Sequence, residues 1–255
     1  RHPSFGDAIH ESEAIKQIYD AFPTSHVLGC SGAGEIMDGM VHDELITVVI
    51  KPFLKTRLKS TFSPVKDAAE SFDVGKRLAR ELDDPELKAI FILSEGLNVN
   101  GSDLVRGVNS VVSKEVVVTG GLAGDGTRFE KTWILAHGKA SSMMVSAVGF
   151  YGDHVMVSHG SQGGWDSFGP VRTVTRSEGN VLYELDGKPA LALYKTYLGE
   201  KAKELPSSGL LFPISLLDTE GGARNVVRTL LSVWMSEFRA LRADHGQAAS
   251  LTPPP

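Results

Sequence analysis

Two glycine-rich turns hold the side chains of this sequence that are best placed to do chemistry. The first, GCSGAGEI at residues 29–36, contains the only cysteine and a carboxylate, and the second is GGLAGDG at residues 120–126. Both follow apolar runs that read as strands, where glycines let backbone N–H groups approach an anionic or carboxylate group. We therefore predict a small-ligand site between the turns. The predicted ligand-binding residues are Gly29, Cys30, Ser31, Gly32, Glu35, Gly120, Gly121, Gly124 and Asp125.

The first turn also leaves an enzymatic interpretation open. Cys30 could be a nucleophile if a base stood beside it, although a lone cysteine after a strand more often packs as a small buried residue. The GCSGA stretch misses the G-x-S-x-G nucleophile motif because position 33 is Ala33. Neither turn has the G-x-G-x-x-G spacing of a dinucleotide site. A binding protein is therefore favoured over an enzyme, and a Cys30-dependent enzyme is the alternative.

Carboxylates near the turns have two interpretations each. Glu35 and Glu95 both follow predicted strands and could converge as an acid–base pair, or each could cap a loop by accepting backbone N–H bonds. Asp125 is also typical of a turn-forming residue. No nucleophile, acid and base are spaced as a catalytic set, and this again favours binding.

A third feature is the segment SHGSQGGWDSFGP, which begins at residue 158. It places His159 close to Trp165 and Phe168 in a glycine-rich loop of the kind that can close on a flat ligand. The alternative is a solvent-facing turn histidine. His154 and His159 lie five residues apart in a predicted strand and so point to opposite faces, which argues against a zinc site.

Composition limits the class of protein that positions these residues. The chain has 255 residues, 42% hydrophobic and 22% charged, which suits one large or two modest globular domains. A net charge of -5 leaves no basic surface for nucleic acid, and no apolar run approaches the roughly 20 residues that would span a membrane. One cysteine suits a reducing compartment, so we expect a cytoplasmic protein. The start at Arg1, without Met or a signal-like leader, suggests a fragment.

Hydrophobic periodicity predicts the α/β class, with mixed sheets. The N-terminal half reads as β-α-β units, and the C-terminal half reads as mostly antiparallel strands with helices. Predicted strands lie at 26–29, 45–50, 55–62, 89–93, 116–121, 131–136, 142–150, 153–159, 171–176 and 180–185. Predicted helices lie at 14–22, 65–82, 104–112, 189–199 and 233–241, and a frayed tail follows.

Several stretches together resemble the FIST (F-box and intracellular signal transduction) sensory domain family. They are VLGCSGAGEI, LSEGLNVNGSDLVRGV, VVVTGGLAGDGTRFEKTWIL, GWDSFGPVRTVTRSEGNVLYELDGKPALALYKTYLG and LLFPISL. The resemblance covers most of residues 5–230. It implies an N-terminal FIST part at 1–150 that lacks the family's first strand, and a truncated C-terminal FIST part at 151–232. A helix and a disordered tail complete the predicted organisation at 233–255.

The resemblance also implies a function. We expect an intracellular sensory domain that binds an amino acid or similar small anion and acts in signal transduction through a partner such as a histidine kinase or a cyclic-dinucleotide enzyme. One branch of the family resembles haem proteins that sense nitric oxide. In that alternative His159 would bind the haem iron, Trp165 and Phe168 would flank the ring, and Arg172 would meet a propionate. The sequence contains no C-x-x-C-H attachment motif.

Overall fold

The structure is a computed structural model that describes residues 13–43, 45–160, 168–178, 181–217, 226–234, 237–240 and 248–251. The chain divides into two units, residues 1–159 and residues 160–255. Both contain strands and helices, which confirms the predicted α/β class with mixed sheets. None of the helices in the described ranges is long and apolar enough to cross a membrane.

Unit 1 is organised around a four-stranded sheet. Its strands are β3 (Arg57–Pro64), β4 (Leu87–Ser94), β5 (Val117–Leu122) and β8 (Met144–Tyr151), and they lie in the order β3-β8-β4-β5. Strands β4 and β5 are parallel and are joined through a helix, as predicted, while β8 runs antiparallel to both β3 and β4. The predicted boundary between the FIST parts, residue 150, lies inside β8 and stays a prediction.

Two helices cover one face of this sheet, α2 (Ser71–Leu82) and α3 (Gly101–Asn109). A short 3-10 turn, Ala68–Glu70, precedes α2. The helices approach closely because glycines face each other: a Cβ atom on Gly75 would lie 2.2 Å from the carbonyl oxygen of Leu104. Their apolar faces meet the sheet in a buried core. This core includes Val74, Leu78, Leu82, Ile90, Ile92, Val108, Val145 and Tyr151.

The opposite face of the sheet is approached by smaller elements. These are α1 (Glu13–Ala21) and a hairpin of β6 (Ile134–Ala136) and β7 (Lys139–Ser141). A second, smaller core joins them and contains Ile15, Trp133, Leu135 and Ala140. A further hairpin, of β1 (Glu35–Met37) and β2 (Met40–His42), is mostly exposed.

Three predicted strands of unit 1 are wrong, and with them the first β-α-β unit. Residues 26–29, 45–50 and 153–159 have no regular secondary structure. After residues 26–29, the backbone instead meets β6 through an isolated antiparallel bridge between Cys30 and Ile134. Residues 45–50 are rich in β-branched side chains, but Val49 is 90% exposed and no strand pairs with the run. A β-branched run of this kind therefore forms a strand only where a neighbouring strand pairs with its backbone N–H and C=O groups.

Unit 2 is an antiparallel sheet in the order β13-β12-β16-β9-β10-β15-β14, with a short β11 beside β10. Its helix α4 (Ala190–Leu198) begins after Pro189 and ends at Gly199, as predicted. Two 3-10 turns follow, Gly199–Glu204 and Ser207–Leu210. The strands are β9 (Phe168–Glu178), β10 (Val181–Leu185), β11 (Lys188–Pro189), β12 (Ile214–Leu217), β13 (Val226–Arg228), β14 (Leu230–Trp234), β15 (Glu237–Ala240) and β16 (Ala248–Leu251).

The helix predicted at 233–241 is wrong, because this stretch contains the end of β14 and the whole of β15. Val233 pairs with Phe238 across the hairpin, so two apolar positions that suggested a helical face lie opposite each other on neighbouring strands. The sequence predicts a frayed tail at residues 247–255, yet residues 248–251 form β16 between β9 and β12. A few apolar residues at short spacings fit both the helical and the strand periodicity, and pairing with distant strands then decides which structure forms.

Candidate functional site

The two glycine-rich turns lie against each other in unit 1. The amide of Gly124 donates a hydrogen bond of 3.1 Å to the carbonyl oxygen of Ser31. A Cβ atom on Gly124 would lie 3.3 Å from the Cβ of Ala33, so the two backbones are nearly in van der Waals contact. The structure thus brings together the two turns that the sequence singled out.

Several backbone donors of these turns are already engaged within the protein. The amide of Ser31 donates to the carbonyl of Trp133 at 3.0 Å, and the Ser31 hydroxyl accepts from the Trp133 amide at 3.2 Å. The amide of Ala123 donates to the carbonyl of Ser94 at 2.8 Å. These N–H groups hold the turns to β4 and to the segment before β6, and they do not point at a ligand.

The glycines of the second turn have different surroundings. Gly120 has φ +149°, and a Cβ there would lie 1.9 Å from the carbonyl oxygen of Ile92, so this position accepts only glycine. A Cβ on Gly121, by contrast, would meet no atom within 4 Å. In the first turn, a Cβ on Gly32 would lie 2.8 Å from the Glu35 carboxylate. Gly121 and Gly32 thus have space, or a movable neighbour, at the position of an added Cβ atom, and neither has a positive φ.

Asp125 forms the turn after β5. Its buried carboxylate accepts hydrogen bonds from the amides of Phe129, Glu130 and Lys131, at 3.1, 2.7 and 3.0 Å. This agrees with the turn-forming interpretation of the residue, since its oxygens are occupied by the chain itself.

Glu95 caps the loop after β4 in a similar way. Its carboxylate, 1% exposed, accepts from the amides of Leu97 (2.9 Å) and Asn98 (2.7 Å) and from the hydroxyl of Thr132 (2.6 Å). Of the two interpretations of Glu95, loop capping is the one that these contacts support. The partners of this buried carboxylate are structural groups, so it is not displayed as a catalytic acid or base.

A cavity of about 740 Å³ opens beside the first turn. Its walls are α1, residues 24–30 and residues 46–53, and its floor is the sheet face opposite α2 and α3. Phe91 of β4 and Val148 and Phe150 of β8 line that floor. Gly29 and Cys30 are the two predicted site residues that line this cavity.

The cavity has an apolar interior and a mixed opening, because Ile46, Val48 and Ile50 also line it and are 45–62% exposed. Ile15, Trp133, Leu135 and Val148 line it and are buried, with exposures of 5–7%. Polar lining residues lie nearer the solvent: Thr24, Ser25, His26 and Lys51 are all exposed. His26 Nδ1 lies 3.0 Å from the hydroxyl of Ser60 in β3. A ligand with an apolar body and one polar end matches this distribution.

Cys30 is half-buried at the edge of this cavity. Burial raises the pKa of its thiol above the ordinary value of 9.0. The neutral thiol therefore dominates at neutral pH, whereas a nucleophilic cysteine needs the opposite shift. These surroundings favour a packing role for Cys30 over a catalytic one.

The residues of the haem alternative gain no support from the described structure. The His159 side chain is exposed, and Trp165 lies outside the described residues. The Arg172 guanidinium donates to the Asp186 carboxylate at 2.9 Å and to the Tyr197 hydroxyl at 3.0 Å. It is thus engaged within unit 2, and the haem alternative stays a prediction. Among the described residues, no three His, Cys, Asp or Glu side chains cluster as metal ligands.

The sequence interpretation missed the cavity because its walls come from segments far apart in the chain. One signal was available. The runs AIFIL and VSAVGF are apolar at nearly every position, and such continuity is typical of strands that are covered on both faces. The helices α2 and α3 cover one face only, so the second apolar face had to meet something else.

A sequence model of the FIST N domain matches residues 4–188, which is well over half of the chain. The chain therefore belongs to the FIST family of signal-transduction sensory domains, and the predicted resemblance is confirmed. The match extends past the predicted boundary at residue 150, and the C-terminal FIST part stays a prediction.

One curated relative is also similar to this chain. It is "Uncharacterized protein MJ1623" of Methanocaldococcus jannaschii (strain ATCC 43067 / DSM 2661 / JAL-1 / JCM 10045 / NBRC 100440), 26% identical over 220 residues. The aligned region covers 78% of this chain and 41% of that relative, so the chain spans less than half of the relative's length. No solved structure matches the chain.

Proposed function

We propose that this chain binds a small ligand in the cavity of unit 1 and acts as a sensory domain in signal transduction. The observation that carries the proposal is the cavity of about 740 Å³ with an apolar floor and exposed polar residues at its opening. Its volume lies within the range of about 300–1,000 Å³ that is typical of small-molecule sites. Membership of the FIST family adds the signalling role.

The walls of the cavity suit a sensor. Residues 46–53 have no regular secondary structure, so their backbone is not fixed by a ladder of strand hydrogen bonds. A ligand that packs between this segment and α1 would favour one arrangement of the two. Binding energy could thereby change the surface that a partner meets. We propose a cytoplasmic signalling enzyme as that partner, such as a histidine kinase or a cyclic-dinucleotide enzyme.

The predicted ligand class, an amino acid or another small anion, is retained as the starting set of candidates. The predicted site moves, however, from the space between the turns to the cavity beside them. Gly29 and Cys30 belong to both sites, whereas the donors of Ser31 and Gly124 are satisfied by other backbone groups. A Cys30-dependent enzyme is disfavoured because burial raises the pKa of the thiol.

The single cysteine offers a direct test. We would screen amino acids and small carboxylates for an increase in Tm, and then measure how each one changes the rate of Cys30 alkylation by iodoacetamide. A ligand at 100 times its Kd adds about 2.7 kcal/mol to the free energy of unfolding. The same ligand should slow alkylation, because Cys30 lines the cavity.

A matched control places the thiol elsewhere. The double variant Cys30→Ala/Ser158→Cys carries one exposed cysteine in a segment that does not line the cavity. Its alkylation should be equally fast with and without ligand. A compound that raises Tm without protecting Cys30 would place the site outside the cavity, and the absence of any stabilising compound would count against ligand binding itself.

A further inference from the structure

The side chains at the cavity opening include a positive charge and, among the described residues, no negative one. Among the described residues that line the cavity there is no aspartate or glutamate. Lys51 supplies an ammonium group and His26 supplies an imidazole. The remaining polar lining groups are hydroxyls, the Cys30 thiol, the Trp133 indole N–H and backbone atoms. A carboxylate would therefore meet a positive group at this opening, whereas an ammonium group would meet no negative one.

Lys51 has no acidic partner in the part of the chain that the structure describes. Lys88, by comparison, pairs with Asp153 at 2.8 Å in the same unit. An unpaired exposed lysine is common on protein surfaces, and by itself it indicates nothing. Its position makes it informative, because Ile50 and Pro52 on either side also line the apolar cavity.

We infer that the ligand is an apolar monocarboxylate, with a hydrocarbon or aryl body in the cavity and its carboxylate at the opening near Lys51. This inference rests on the proposed function, and it narrows the expected ligand. The apolar body would cover Phe91, Val148 and Phe150 on the sheet face. A free amino acid is disfavoured, because the described lining offers its ammonium group no carboxylate partner and Lys51 carries a like charge at the same opening.

Three probes that share one body and differ in the polar end separate these alternatives. They are 3-phenylpropanoate, its neutral amide 3-phenylpropanamide, and phenylalanine, which adds an ammonium group to the acid. Binding is measured by calorimetry and by protection of Cys30 from iodoacetamide. The acid should bind about fivefold more tightly than the amide. It should bind about two- to fivefold more tightly than phenylalanine, because charges at this exposed opening interact weakly.

The role of Lys51 is tested with Lys51→Met, which keeps a long apolar stem and removes the charge. Because Lys51 is exposed, the affinity for 3-phenylpropanoate should fall by only about two- to fivefold, and the affinity for the amide should not change. Lys55→Met is the matched control, since Lys55 is exposed and nearby but does not line the cavity. It should bind both probes as the wild type does.

The outcomes separate this inference from the proposed function. If the amide binds as tightly as the acid, or phenylalanine binds more tightly, and Cys30 is still protected, then the monocarboxylate inference is overturned and the cavity remains the ligand site. Equal losses in Lys51→Met and Lys55→Met would also overturn it. If none of the three probes protects Cys30, the inference fails, and the wider screen for stabilising ligands then decides the proposed function.

Discussion

The amide of Gly124 donates a hydrogen bond of 3.1 Å to the carbonyl oxygen of Ser31, and this bond joins two turns that are far apart in the chain. The neighbouring backbone continues the connection, because the amide of Leu135 donates to the carbonyl of Gly29 at 2.8 Å. Gly29 is packed so closely that a Cβ there would lie 2.6 Å from the Leu135 side chain. The turns therefore fix the wall of the cavity that Gly29, Cys30 and Leu135 line.

The variant Gly121→Val distinguishes the cavity from the space between the turns. A Cβ at Gly121 meets no atom within 4 Å, so the free energy of unfolding should change by no more than about 0.5 kcal/mol. If the ligand binds in the cavity, protection of Cys30 should be the same as in the wild type. If the ligand binds between the turns, binding should be lost while circular dichroism stays native. Gly32→Val makes the same test in the first turn, because its side chain would first meet the movable Glu35 carboxylate.

The close approach of α2 and α3 predicts a large effect of a single methyl group. In Gly75→Ala the new Cβ would lie 2.2 Å from the carbonyl oxygen of Leu104, and backbone on the facing helix would have to move. We expect the free energy of unfolding to fall by about 1–3 kcal/mol, measured by urea denaturation. Gly121→Ala adds the same methyl group in open space and should be close to neutral. Equal stability of the two variants would contradict the helix packing described here.

The buried carboxylate of Glu95 predicts a specific loss on amide substitution. In Glu95→Gln one acceptor oxygen becomes an NH₂ group, which would face either the Leu97 amide and the Thr132 hydroxyl or the Asn98 amide. The free energy of unfolding should fall by about 1–3 kcal/mol. Glu115→Gln, at an exposed position, is the control and should be nearly unchanged. If Glu95→Gln left the free energy of unfolding unchanged, the loop-capping role would be contradicted, and an acid–base role for this residue would again be open.

The parts of the fold that could be predicted are those with local signals. The unit β4-α3-β5 combines an apolar strand, an amphipathic helix that Asn100 caps, and a second strand within about 35 residues, a length typical of β-α-β units. Residues 45–50 carry an equally strong strand signal, yet they form no strand. Their pairing depends on a neighbour that the sequence pattern does not identify, so local propensity alone was insufficient.

Part of the site could also be predicted, because its glycine-rich turns have a local sequence signal. The glycine spacing of the two turns indicated close backbone contacts, and Gly124 and Ser31 do meet. The sequence did not indicate whether those backbone donors face a ligand or another carbonyl. It also did not indicate that α1 and residues 46–53 would enclose the sheet face of Phe91 and Phe150, because each segment alone reads only as apolar.

The raised pKa of Cys30 predicts how stability and reactivity change in alkaline solution. The thiol has its ordinary value of 9.0 when unfolded and a higher pKa when folded, because burial disfavours the thiolate. Above about pH 9 the unfolded state loses the proton first, so the stabilisation present at lower pH is lost as pH rises toward the folded pKa. The wild type should therefore lose more stability than Cys30→Ala as the pH rises above the ordinary value of 9.0 toward the higher folded pKa.

The same shift predicts slow alkylation. At pH 7.5 Cys30 should react with iodoacetamide more slowly than the exposed thiol of Cys30→Ala/Ser158→Cys, because the thiolate is the reacting species. As the pH is raised, the reaction rate of the exposed thiol should reach a plateau first, while the rate of Cys30 still increases. Denaturant melts of the wild type and Cys30→Ala at each pH give the stability difference, which cancels the titration of the tyrosines and lysines that both proteins share. A wild type that gains stability relative to Cys30→Ala as the pH rises toward 9, together with fast alkylation at neutral pH, would mean that Cys30 is an activated thiolate. The Cys30-dependent enzyme would then replace the sensor as the better interpretation.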